Sequence, residues 1–176
     1  YGPRGIEPVA QAVMALAGAQ PYPVRWQAID GTFAVDTLKI TPVPLKHRVP
    51  CQGYVLDLPR AGKFDAARAK AVGIPLEYWS VLQRGESIGG FAPEQVLGAP
   101  RRGLKVVYAT DTRPCPALQA AAESADLLCM DATYAEDVDL PKAKLYGHST
   151  CREVGALAAA AHVRRLWLTH YSAAVT

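Results

Sequence analysis

The sequence predicts a layered α/β domain, and three observations carry that expectation. In the second half of the chain, short aliphatic runs alternate with alanine-rich helical patterns, the signature of βαβ units. Half of the 176 residues are hydrophobic and 20% are charged, enough apolar side chain for a real core. Fourteen Gly and fourteen Pro argue against a helical bundle or coiled coil. No apolar run approaches the roughly 18 residues a membrane helix needs, so no spanning segment is expected. The cysteines Cys51, Cys115, Cys129 and Cys151 form no C-x-x-C pair. That argues against a zinc ribbon or disulfide scaffold and for reduced thiols in a cytoplasmic protein. The chain opens on Tyr1-Gly2-Pro3 and ends just past a strand-like run, so a segment of a longer protein is expected.

Taken in order, residues 5–19 (GIEPVAQAVMALAGA) carry apolar groups at helical spacing behind a Gly-Pro start and predict a helix. Val24–Ile29 and Phe33–Val35 are short and β-like. Leu38–Leu45 alternates around Ile40, Val43 and Leu45 and predicts a strand running toward His47, with Gly53–Leu58 as its neighbour. Two short helices follow, Asp65–Val72 and Leu76–Gln83, joined by Gly73-Ile74-Pro75; residues 85–100 read as loop. Leu104–Ala109 predicts a buried strand ending at Asp111, Pro116–Ser124 a helix, and Asp126–Met130 a strand. Thr150 and Glu153 form a T-x-x-E capping box ahead of a helix over Cys151–Ala161. Arg165–Thr169 predicts a last strand, and His170 follows it at once.

The charge is uneven. Residues 60–105 hold eight basic and four acidic side chains, which leaves eleven basic and twelve acidic groups elsewhere. The whole positive excess therefore lies in one stretch. A basic segment on a near-neutral body suits a polyanion, although a solvated surface arm has the same composition.

Four positions stand out by placement. His47, Asp111 and His170 each follow a strand, and His148 precedes a helix. Ligands gather at the edge where strands of an α/β sheet end, because side chains converge there without filling the core. Two imidazoles and a carboxylate are zinc-type donors, and one carboxylate can bridge two metals about 3.5–4 Å apart. His148, at a helix start, has an environment that favours an anion. Singly, each position has a structural explanation: an Asx-turn for Asp111, a satisfied polar group for a histidine, a cap for Ser149 or Thr150.

The motifs resemble those of the ribonuclease Z family of the metallo-β-lactamase superfamily. Tyr1-Gly2-Pro3-Arg4-Gly5-Ile6 is similar to that family's Y-G-P-x-G-I, and His47 with Gly53-Tyr54 to its H-x(5)-G-Y. Pro59–Gly85 resembles its arm, and Asp111-Thr112-Arg113 its D-T-R. Ala125–Tyr134 resembles its A-D-L-L-x-x-E-A-T-[FY], and Gly147–Thr150 and Leu168–Ser172 complete the set. The resemblance implies the carboxy-terminal portion of an αββα sandwich, a partial domain over residues 1–176 with a protruding helical arm inserted over residues 59–103. It implies a zinc-dependent endoribonuclease that removes 3′ trailers from tRNA precursors, with manganese as a possible substitute, acting as a homodimer.

By the same resemblance, His47 would ligate the first zinc, Asp111 would bridge both, and His170 would ligate the second. His148 would act on the scissile phosphate, oriented by Asp131. Ser149, Thr150, Ser172 and the arm's Lys63, Arg68 and Lys70 would touch substrate. The sequence departs from the family at four places. No histidine precedes His47, so the H-x-H-x-D-H ligand motif has no counterpart and the segment alone is expected to be inactive. Leu76-Glu77 replaces the arm's Gly-Pro, Asp131 replaces a Glu, and Ala174-Val175 stands where the family has Arg-Tyr. Two other readings remain: a hydrolase of small phosphodiesters on the same fold, and a non-catalytic split domain.

Overall fold

The computed structural model describes residues 1–18 and 20–173. The Ala174-Val175 departure lies outside them. The described residues divide into two compact units, Tyr1–Asp57 with Lys105–Thr176, and Leu58–Leu104.

The chain opens with helix α1 (Ile6–Ala17), which starts behind Gly5 in the left-handed conformation. The six strands are β1 (Phe33–Val35), β2 (Leu38–Pro44), β3 (Gln52–Arg60), β4 (Arg101–Ala109), β5 (Leu127–Asp131) and β6 (Leu166–Thr169). They form one sheet in sequence order. The pairs β1–β2 and β2–β3 are antiparallel. The pairs β4–β5 and β5–β6 are parallel, joined through α4 (Pro116–Ala122) and through α5 (Leu140–Tyr146) with α6 (Cys151–Ala160). The expected mixed α/β architecture is therefore present.

The parallel register positions the site. Ala109 pairs with Met130, and Asp131 pairs with Thr169. Asp111, Asp131 and His170 therefore come to the carboxyl ends of three adjacent strands. Alternation along β5 buries Leu128 and Met130 in the core. On α6, Val154, Leu157 and Ala158 are buried, and Ala161 beyond its end continues the same stripe at helical spacing. These side chains pack with Val107, Ala109, Leu118 and Ala122 in the main core. Where β3 passes β4 there is no room for a side chain: a Cβ on Gly53 would lie 2.7 Å from the Tyr108 carbonyl oxygen.

Two expectations need correction. Val24–Ile29 forms no strand; Ala28 makes a single bridge to Gly2, because the segment it meets turns into α1 at Ile6 and offers no longer partner. Leu76–Gln83 is not one helix but a 3₁₀ turn (Leu76–Tyr78) running into α3 (Trp79–Gln83). Helix α5 had not been anticipated, although Asp139, Pro141 and Gly147 are ordinary start and stop signals.

The second unit has its own small core. Ala69, Ile74, Leu82 and Val96 pack with Phe64, Tyr78, Trp79, Ile88 and Phe91. Asp65 caps α2 (Ala66–Ala71) by accepting from the Arg68 N–H at 2.9 Å. The Trp79 indole N–H donates to the Ile74 carbonyl at 3.1 Å.

Candidate metal centre

Asp131 ends β5 and is fully buried. Its Oδ1 accepts from the Thr133 N–H at 2.8 Å and the Thr133 hydroxyl at 2.7 Å. Its Oδ2 accepts from the Thr112 N–H at 3.0 Å and lies 2.7 Å from His148 Nδ1. A buried carboxylate is tolerated only with such partners.

These bonds dictate how the imidazoles are held. His148 Nδ1–H donates to the Asp131 carboxylate, which leaves Nε2 as the ring atom facing away from that bond. His170 Nδ1 lies 2.8 Å from the Thr133 hydroxyl, whose proton is committed to Asp131; the hydroxyl oxygen therefore accepts from His170 Nδ1–H. His47 Nδ1 lies 3.0 Å from the Gly147 carbonyl, which can only accept. In all three rings Nδ1 is engaged, and Nε2 is the atom left for a metal or a phosphate. His170 Nε2 lies 3.3 Å from an Asp111 carboxylate oxygen. The three rings form a row, with His148 5.0 Å by ring centroid from His47 on one side and from His170 on the other.

The local backbone serves this arrangement. Asp111 and His170 both adopt positive φ, 51° and 61°, turning their side chains at the strand ends. Gly147 closes α5 in the left-handed conformation, and a Cβ there would lie 2.8 Å from His47 Nδ1. Only glycine permits both the turn and the approach. Arg113 donates to the His148 carbonyl at 2.7 Å and pairs with Glu153. Burial and then the neighbouring Asp111 charge push the Cys51 thiol above its ordinary range, so it stays protonated 3.7 Å from the Asp111 carbonyl oxygen.

Among the described residues, the tightest group of metal-type donor atoms is Asp131, His148 and His170, within 4.8 Å of one another. Asp131 has spent both oxygens on its own partners, so its chemistry is that of an anchor. His47 and His170 have Nδ1 engaged elsewhere, and the half-exposed Asp111 carboxylate lies 3.3 Å from His170 Nε2.

The other expected contacts divide. Ser149 and Thr150 are fully buried, with their hydroxyls engaged inside the protein. The Ser149 hydroxyl donates to the Thr112 carbonyl at 2.5 Å, and Thr150 caps α6. Ser172 is half-buried, its N–H donating to the Thr133 carbonyl at 2.9 Å. Lys63, Arg68 and Lys70 are exposed on the second unit, where Lys63 and Arg68 line a cavity of about 460 Å³. Sequence reasoning gave no role to Thr133, Gly147 or Arg113, and gave Glu153 only its place in the capping box. Thr133, two residues beyond a strand-end Asp, was the readable signal among them.

A family model described as the beta-lactamase superfamily domain matches residues 1–171. Ribonuclease Z of Lachnospira eligens is 36% identical over 178 residues, 97% of this chain and 59% of that protein. Ribonuclease Z of Clostridium acetobutylicum is 34% identical over 188 residues, 99% of this chain and 61% of that protein. The chain thus spans about 60% of the length of the curated relatives it matches. Among solved structures, the short form of human tRNase Z aligns with a TM-score of 0.57 at 19% identity, covering 97% of this chain and 59% of that one. A diphosphatase of the PhnP family aligns with a TM-score of 0.57 at 16% identity, covering 98% and 46%. These structural likenesses establish the fold.

Proposed function

The chain belongs to the beta-lactamase superfamily, and from that premise we propose that the complete protein is a metal-dependent endoribonuclease that removes 3′ trailers from tRNA precursors. The observation that carries this reading is the row of three imidazoles, each with Nδ1 anchored, beside the Asp111 carboxylate. The similarity to ribonucleases Z over nearly the whole chain supplies the substrate class.

His47, Asp111 and His170 would hold the metal, zinc in the first instance, with manganese also suited to such donors. When bound, the metal supplies Lewis acidity and an acidified water for attack on a phosphodiester. In its protonated form His148 would present Nε2–H to the phosphate, stabilising it or passing that proton to the leaving 3′-oxygen. Asp131 keeps that ring in one tautomer and one orientation. Thr133 links the same carboxylate to His170, so one buried group sets two rings. The basic second unit would grip the tRNA backbone through exposed side chains such as Lys63, Arg68 and Lys70. This segment alone supplies too few donors for two metals and would be inactive. A homodimer in the cytoplasm belongs to the same reading.

Incubation of the complete protein with a 3′-extended precursor tRNA tests it. Cleavage after the discriminator nucleotide, abolished by chelation and restored by zinc or manganese, is expected. Turnover of a small phosphodiester without precursor cleavage would replace this reading with the second one, a small-diester hydrolase. That alternative is favoured by Leu76-Glu77 in the arm, where Leu76 is 74% exposed. Salt separates the two, because tRNA binding weakens steeply with ionic strength and small-diester binding does not.

A further inference from the structure

We propose that Arg113 is a positioning residue for His148, acting through the His148 backbone carbonyl and through Glu153; this rests on the role given to His148 above. Asp131 holds the His148 ring at one atom, Nδ1. A ring held at one atom still pivots when its backbone shifts. The second anchor is the Arg113 guanidinium, whose Nη1 donates to the His148 carbonyl at 2.7 Å and to Glu153 Oε2 at 2.6 Å, while Nη2 pairs with Glu153 Oε1.

The arrangement uses what distinguishes arginine. Its planar fork satisfies both carboxylate oxygens and a carbonyl at once, which a lysine point charge cannot do. The pair is largely withdrawn from water, with side-chain exposures of 13% for Arg113 and 23% for Glu153. Glu153 is itself tied to the segment carrying His148, because its Oε2 accepts from the Thr150 N–H at 3.1 Å. At the other end, the Arg113 N–H donates to the Lys46 carbonyl at 2.8 Å, one residue before His47. The residue thus joins the His47 loop, the Asp111 loop and the His148 loop. Displacement of a reacting group by about 1 Å costs on the order of a hundredfold in rate, so such a joint bears on turnover without touching substrate.

The test uses the complete protein loaded with zinc, as wild type, R113K, E153Q and the double variant. Precursor tRNA cleavage gives kcat and KM, elemental analysis gives metal content, and the low-field proton resonance of His148 Nδ1–H reports the ring directly. For R113K and E153Q, kcat should fall about tenfold to a hundredfold, with KM within about twofold and metal content unchanged. The resonance should shift or broaden, and the double variant should be no worse than the worse single one, since both residues act as one unit. A variant with wild-type kcat and an unmoved resonance overturns the proposal, as do multiplicative losses or a loss that tracks metal content. If R113K does not fold, E153Q supplies the same readouts, because glutamine keeps a capping oxygen. If wild type does not cleave the precursor, the functional reading fails on its own, and the resonance still decides: moved in R113K or E153Q supports the anchor, unmoved overturns it.

Discussion

Asp131 accepts from two backbone N–H groups, a hydroxyl and an imidazole while wholly out of water. Asparagine there is nearly isosteric, but either orientation of its amide turns an NH₂ toward two donors. Asp131→Asn is therefore expected to cost about 1–3 kcal/mol of stability. It should also lower kcat by about a hundredfold or more, because His148 loses its tautomer anchor. Chemical denaturation and precursor cleavage measure the two effects separately. Gly147 gives a second single-residue prediction. Gly147→Ala forces a side chain into positive φ and against His47 Nδ1, so a loss of about 1–3 kcal/mol is expected. Metal affinity should weaken with it, as calorimetric zinc titration would show; an unaltered affinity would separate the His47 ring from the metal.

At the scale of elements, strand ends and helix starts do the positioning. The capping box of α6 shares its glutamate with Arg113. Burial raises the Glu153 pKa, but the Arg113 hydrogen bond, the Thr150 N–H and the guanidinium charge outweigh it, leaving the carboxyl below its ordinary 4.5. A carboxyl depressed on folding stabilises the folded state above its unfolded pKa and loses that contribution as pH falls through the folded value. Thermal stability should therefore drop on acidification below about 4.5, and E153Q should remove that component of the drop. A titration identical in wild type and E153Q would contradict this. Strands β2 to β6 and helices α4 and α6 were legible because hydrophobic alternation and the capping signature are local. The run at Val24–Ile29 was not, since β pairing depends on a partner that the local pattern does not reveal. His47, His170 and Asp111 could be singled out from their places after strands, His148 from its place before a helix, and Asp131 only through the family motif. Thr133 and Arg113 were hidden because their roles come from contacts between loops distant in sequence.

At the scale of the molecule, chemistry and charge are divided between two compact units. Residues 60–105 carry the positive excess, and the strand-end cluster belongs to the unit of residues 1–57 and 105–176. Reversal of Lys63, Arg68 and Lys70 to glutamate is expected to raise KM for precursor tRNA about tenfold or more at low salt. Small-diester turnover should stay unchanged, and equal losses on both substrates would count against a separate gripping unit. Beneath each of these expectations lies the claim that His47, Asp111 and His170 present donors to metal while His148 is held for the phosphate. Elemental analysis of the complete protein and of its His47→Ala, Asp111→Asn and His170→Ala variants tests that most directly. About two ions per chain in wild type, falling in every variant, is the result predicted; less than about one ion per chain, or a content that none of the substitutions changes, would contradict it.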